Sequence, residues 1–308
     1  MDLHGVFKMI SAAIDIGTNT ILMTVKNNET AEIIGDFQEI ARLGENLTLT
    51  GIIGDTAKER AVKILSGYRE KADLLKVDHF SVIATSAMRD AKNQKEIVAF
   101  VKSETGFEIE VISGDREATL TYLGGLDGLK IQSEKSALID IGGGSTEYIL
   151  GNGKDIFQKL SLNIGTVRLS ERFNLFTENP SEYQISKFTD FVKSELPKIP
   201  FSGSSEISWV GVAGTATSLS AVILKLTKYQ ANLVHGSKLK YSELNQLTEE
   251  FANLSPTEIV KKYPILNKRQ DLILGGCLIL KCSFEHFGIE EMTVSDRGLR
   301  YGVLNTFH

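Results

Sequence analysis

The sequence predicts an α/β fold made of two related halves. Three observations carry this. Strand-like and helix-like segments alternate along the chain. An apolar strand running into Asp-Ile-Gly and then hydroxyl residues occurs twice, at Asp15 and Asp140, and 140 − 15 = 125 residues separate them. A third apolar strand runs into Gly214-Thr215-Ala216-Thr217-Ser218. One such recurrence is too long for a solenoid and suggests two domains facing each other.

In the first half, Ser11 to Asp15 is a short apolar run that ends in a Gly-containing turn, and Ile21 to Val25 and Glu32 to Phe37 follow as strands. Ala57, Ala61, Ile64, Leu65, Tyr68, Ala72 and Leu75 recur at helical spacing, which predicts a helix over Thr56 to Lys76. His79 to Ala84 reads as strand, Glu96 to Ser103 as helix, Glu108 to Ile112 as strand and Asp115 to Tyr122 as helix. A Gly-rich then polar stretch, Gly124 to Ser133, marks a boundary, giving halves of 1–127 and 128–308. The second half opens with strands Ser136 to Ile141 and Glu147 to Leu150. Asn163 to Ser204 suggests helices without clear ends. Ile207 to Val212 is a strand, followed by the Gly214 turn and a helix over Leu219 to Leu226. Helices are expected at Tyr241 to Asn253 and Lys268 to Phe287, then a strand over Met292 to Ser295. A last helix starts from Arg297, placed to pack back across the cleft.

Composition narrows the function. The chain is 42% hydrophobic and 24% charged, which suits a globular protein with a substantial core. No apolar run approaches the roughly 20 residues that a membrane helix needs. Met1 to Met9 lacks the long apolar run of a secretory signal, so a cytoplasmic protein is expected. Cys277 and Cys282, five apart on one helix, suit two buried thiols in a reducing compartment better than a disulfide. A net charge of −5 argues against a nucleic-acid-binding surface, though a local basic groove could still take a polyanion.

The glycine turns carry the chemistry. Glycine lets the backbone approach an anion closely, and free N–H groups and hydroxyls then donate to phosphate oxygens. The candidates are Gly17, Thr18 and Asn19 in the first turn, Gly142, Gly143, Gly144, Ser145 and Thr146 in the second, and Gly214 and Thr215 in the third. A carboxylate beside a phosphate repels it unless a cation intervenes. Asp15 and Asp140 therefore point to Mg²⁺, with simple capping of the turns as the alternative.

These motifs resemble the exopolyphosphatase / guanosine pentaphosphate phosphohydrolase family. The likeness covers Asp15 to Thr20, Ala84 to Ala91, Ser113 to Ala118, Asp140 to Glu147, Gly214 to Thr217, Val234 to Gly236, Arg269 to Asp271 and Ser295 to Gly302, in family order. It implies two actin-like ATPase (ribonuclease H-like) domains with an interdomain cleft, in the short two-domain form, and a homodimer. It implies removal of terminal orthophosphate from polyphosphate or guanosine pentaphosphate, with Glu117 as catalytic carboxylate and Glu147 orienting water or metal. Arg89 would offer its planar fork to phosphate, or form an ion pair with Asp90 or Asp115. Lys238, Lys268 and Arg269 are candidates for a basic substrate track, and His235 for the second domain's side of the site. Two positions depart from the family: Arg116 stands where a second acid is usual, and Leu22 where a base is usual. Both bear on contact with a guanosine nucleotide. Two other classes fit the same turns: an ATP-using kinase or ATPase, and a non-catalytic binder of polyphosphate or the alarmone.

Overall fold

The computed structural model describes residues 9–176 and 180–307. Residues 1–8, on which most of the signal-peptide expectation rests, lie outside the described residues, as do 177–179 and 308. The first half contains strands β1 (Ile10–Ile16), β2 (Thr20–Asn27) and β3 (Ile33–Ile40), helices α1 (Leu47–Thr50) and α2 (Asp55–Leu74), then β4 (His79–Ala84). Helices α3 (Ser86–Asp90) and α4 (Gln94–Thr105), strand β5 (Ile109–Val111) and helix α5 (Gly114–Leu126) complete it. The second half opens with β6 (Lys135–Ile141), β7 (Thr146–Gly151) and β8 (Ile156–Leu162), helices α6 (Thr166–Phe173) and α7 (Glu182–Glu195), and β9 (Ile207–Val212). It ends with α8 (Ala213–Ile223), α9 (Ala231–Val234), β10 (Lys238–Lys240), α10 (Tyr241–Ala252), α11 (Pro256–Lys262), α12 (Ile273–Phe287), β11 (Glu291–Val294) and α13 (Leu299–Leu304).

The two sheets repeat one topology. The first runs β3-β2-β1-β4-β5 and the second β8-β7-β6-β9-β11, with β10 added at its edge. In each, the Asp-bearing strand pairs antiparallel with the next strand and parallel with a later one. The duplication extends to single residues: Asp15 faces Leu22 across its hairpin, and Asp140 faces Glu147 across the other. The α/β class with two halves is therefore observed. Strands β8 and β10 and the short helices α1, α3, α9 and α11 go beyond the expected set. Between Asn163 and Ser204 the chain forms α6 and α7, the latter started by a capping box at Ser181 and Gln184.

Two helices join the halves. On α5, Ala118 and Tyr122 share a face and pack against Leu138, Ile149, Val210 and Val212 of the second sheet. Leu120, on the opposite face, packs against Ala13 and Ile83 of the first sheet and Leu299 and Val303 of α13. So α5 is buried between the sheets, and α13 returns the chain to the first sheet. Where α5 and α13 cross, backbone touches backbone: a Cβ on Gly302 would lie 1.9 Å from the Leu120 carbonyl oxygen, and one on Gly124 2.1 Å from that of Gly298. Gly302→Ala is expected to force the helices apart and lower stability by about 1–3 kcal/mol. Gly67→Ala, inside α2 with open space around it, is expected to raise stability by about 0.5–1 kcal/mol. Urea denaturation distinguishes the signs; equal shifts would mean that the crossing is not tight.

Candidate active site

The hairpin turns that close β1–β2 and β6–β7 are built alike. Gly17 N–H donates to Thr20 O at 3.0 Å, and Gly142 N–H to Ser145 O at 2.9 Å. In both turns the carbonyls are tied off from behind. Thr18 O accepts from Gly44 N–H, and Asn19 O from the N–H groups of Ala41 and Arg42. Gly142 O accepts from Thr166 N–H, Gly143 O from Val167 and Arg168 N–H, and Gly144 O from Arg168 Nε at 2.7 Å. Gly165 permits this clamp, since a Cβ there would lie 2.4 Å from the Gly143 backbone. Among the described residues, no protein acceptor takes the N–H groups of Thr18, Asn19, Gly143 and Gly144. Each turn thus holds its carbonyls away and leaves rigid donors for an anion.

The third glycine stretch is not a turn. Helix α8 starts directly after β9, because Ala213 takes the bend in the left-handed region at φ 62°. Gly214 and Thr215 sit in the first helical turn, where N–H groups have no intrahelical partner and no side chain caps them. The Gly-Thr-Ala-Thr composition reads as loop because its turn formers outweigh a helix whose first turn faces a cavity.

All three elements border one cavity of about 530 Å³ between the halves, which five carboxylates also line: Asp15, Glu117, Asp140, Glu147 and Asp296. Glu117 reaches it from the first turn of α5. Ser113 caps that helix by accepting from Arg116 N–H at 3.2 Å, which sets the register. The carboxylates raise one another's proton affinity. Burial, then Glu117, push Asp15 up to about 7, with Arg300 opposing. Burial, then Glu117 and Asp15, push Asp140 up to about 8. Glu147, which accepts from Ser161 Oγ at 2.6 Å, is held well above the usual carboxylate range by burial, Glu117 and Asp140. Burial also raises Glu117, but Arg89 opposes this with a 2.5 Å ion pair.

A cation fits Asp15 and Asp140. Asp15 Oδ1 is buried without a hydrogen-bond partner, and neither carboxylate caps its turn. Among the described residues no three His, Cys, Asp or Glu side chains form a metal cage by themselves. Mg²⁺ commonly takes only one or two carboxylates and fills its shell with waters and phosphate oxygens, so this donor set suits it.

Residues 22–307 match the family model described as the Ppx/GppA phosphatase family. The chain belongs to that family. A bifunctional 3-dehydroquinate synthase/phosphatase of Fusobacterium nucleatum is 36% identical over 96% of the chain, which spans only 46% of that relative. Exopolyphosphatase 2 of Mycobacterium tuberculosis is 29% identical, covering 95% of the chain and 96% of the relative. The crystal structure of the Aquifex aeolicus Ppx/GppA family member superposes with a TM-score of 0.80 at 32% identity, covering 96% of each chain. The actin-like, two-domain fold follows from that likeness.

Not every residue singled out from the Ppx/GppA resemblance reaches the cavity. Gly17, Thr18, Asn19, Gly142, Gly143, Gly144, Ser145, Gly214, Thr215 and Arg269 line it. Thr146 does not: its hydroxyl donates to Ile164 O inside the second half. Arg89 stands behind Glu117, donating to it and, at 3.1 Å, to Ile112 O, and does not line the cavity. Asp90 and Asp115 pair instead with Arg168 and Lys159. Lys238 lies on the edge strand β10, paired with Glu291, and Lys268 is exposed; neither lines the cavity. His235 packs beside Gly128 and Ser295, outside it. Arg116 points away and pairs with Glu110, whereas Leu22 does face the cavity. Sequence reasoning missed Asp296, Arg300, Tyr229 and Ser86 in the wall. Arg300 and Ser86 lie inside family motifs but carry no role there; Tyr229 lies in none.

Proposed function

We infer that the protein is an exopolyphosphatase, releasing terminal orthophosphate from inorganic polyphosphate. The observation that supports this most is Glu117, held by Arg89, in the wall of the cavity that both N–H-presenting turns border. In this reading the terminal phosphate docks on the N–H groups of Thr18, Asn19, Gly143 and Gly144. Glu117 accepts a proton from a water as its oxygen bonds to the terminal phosphorus. The anhydride P–O bond breaks, and its electron pair leaves on the bridging oxygen of the shortened chain. Asp15 and Asp140 would hold Mg²⁺, which would supply neutralising charge for the phosphate oxygens. Arg269, half-buried against Gly214 and without a carboxylate partner among the described residues, offers a guanidinium to the chain beyond the terminal phosphate. The name of the Mycobacterium tuberculosis relative favours the same substrate.

Guanosine pentaphosphate is the second reading. The cavity has room for a nucleoside, and the aromatic ring of Tyr229 in its wall could carry a base. Against it, Leu22 gives the wall an apolar side chain where the family usually places a base. The reading includes a cytoplasmic homodimer that binds neither membrane nor nucleic acid, in line with two buried free thiols and a net charge of −5. No helix among the described residues is long and apolar enough to cross a membrane.

The test is orthophosphate release with Mg²⁺ from polyphosphate, guanosine pentaphosphate and ATP in parallel. Polyphosphate is expected to be hydrolysed fastest. Transfer of phosphate from ATP to an acceptor would replace the reading with a kinase, and tight binding of polyphosphate without release would replace it with a binding protein.

A further inference from the structure

A second cavity, of about 320 Å³, lies between the halves behind the glycine turns. Thr18, Ser86 and Gly144 border both cavities. They form a thin partition: a Cβ on Gly144 would lie 2.3 Å from Ser86 Oγ and 3.0 Å from Thr18 Oγ1. Among the described residues neither hydroxyl has a protein hydrogen-bond partner, so both are free to donate to an anion. Beyond the partition, Arg168 and Asp90 form an ion pair between the second half and the first. The same guanidinium holds the Gly144 carbonyl through Nε.

We propose that this second cavity is the outlet for the orthophosphate product, with the Asp90–Arg168 ion pair as its gate. The proposal rests on the exopolyphosphatase reading. A chain substrate poses a problem for any single-mouthed site: the cleaved phosphate lies at the turns, and the shortened chain still occupies the way in. An outlet behind the turns lets the product leave while the chain stays bound. The partition has the chemistry for it, with two unpartnered hydroxyls, a glycine in place of any side chain, and a guanidinium next in line. Passage requires small side-chain rotations of Thr18 and Ser86 and exchange of Asp90 for phosphate on Arg168. Neither requires the cleft itself to open. Product release of this kind commonly limits turnover.

Plugging the outlet separates cleavage from release. Asn163 and Thr48 line the second cavity from opposite halves, are exposed, and do not border the first cavity. Asn163→Trp and Thr48→Trp are to be mixed with long-chain polyphosphate and Mg²⁺. Total cleaved phosphate is read by acid quench and free phosphate by a fluorescent phosphate sensor. Both variants are expected to cleave the first phosphate at the wild-type rate and then slow, so that the quench trace shows a burst of about one phosphate per site before any free phosphate appears. Asp90→Asn, which leaves Arg168 without its carboxylate, is expected to make added orthophosphate a stronger inhibitor. Superimposable quench and sensor traces at wild-type turnover in both Trp variants would overturn the outlet while leaving the exopolyphosphatase reading intact. Absence of cleavage by the wild-type protein would overturn that reading and the outlet with it.

Discussion

Glu117→Gln is expected to lower the turnover of polyphosphate by about 10²–10⁴-fold while leaving its binding nearly unchanged. The amide keeps the shape of the side chain but cannot accept the proton of the attacking water. Three acids face the cavity besides Asp15 and Asp140; Asp296 is engaged by the Tyr229 hydroxyl, and the surroundings of Glu117 and Glu147 decide between those two. Glu147 is buried, lies beside Glu117 and Asp140 and bonds only to hydroxyls, so it holds its proton strongly. Glu117 has the Arg89 guanidinium ion-paired against it, which favours the ionised form that a base needs. Asp115→Asn on the same helix is the control: that side chain is exposed, pairs with Lys159 and should leave turnover within a factor of about two. The measurement is steady-state phosphate release alongside a direct polyphosphate-binding titration. A Glu117→Gln protein with wild-type turnover would remove Glu117 from the chemistry.

The two halves can be read from residues because the duplication is written twice at the same spacing. An Asp seven residues before its cross-strand partner, around a four-residue turn, recurs as Asp15–Leu22 and Asp140–Glu147. What the spacing does not reveal is that the copies have diverged at the partner position, giving an apolar residue in one half and an acid in the other. Arg89 reads as a phosphate ligand because a guanidinium near a phosphate motif ordinarily serves one. Its true neighbour depends on α3 and α5 meeting, a contact between segments 28 residues apart that no local pattern encodes. The α8 start is hidden for a related reason. A helix that begins in a cavity has no polar cap to announce it, and its left-handed residue is an alanine rather than a glycine. Tyr229 gives no signal because nothing in its own segment has a period. That Lys238 lies on a sheet edge away from the cavity is not legible either, because charge in sequence says nothing about which side of a sheet edge it occupies.

The carboxylate cluster makes the metal-free protein sensitive to pH in an unusual direction. Most carboxylates that gain partners on folding are lowered, and stability then falls in acid. Here Asp15 and Asp140 are raised from 3.8 to about 7 and about 8. Between roughly pH 4 and pH 8 the folded chain therefore holds protons that the unfolded chain has already released. By linkage, stability must decline as pH rises through that window, with the loss complete above the folded values. A tenfold change in proton affinity on folding is worth about 1.4 kcal/mol, so ionising both groups without a cation costs several kcal/mol. In EDTA, the melting temperature is expected to be higher at about pH 5 than at about pH 8.5. Mg²⁺ should remove much of the difference by stabilising the ionised pair, by about 2.7 kcal/mol at a hundredfold excess over its dissociation constant. Asp140→Asn should raise the metal-free melting temperature at high pH, flatten the pH dependence and weaken the response to Mg²⁺. A metal-free melting temperature that climbs from about pH 5 to about pH 8 would show that the buried acids are compensated by charges other than a bound cation.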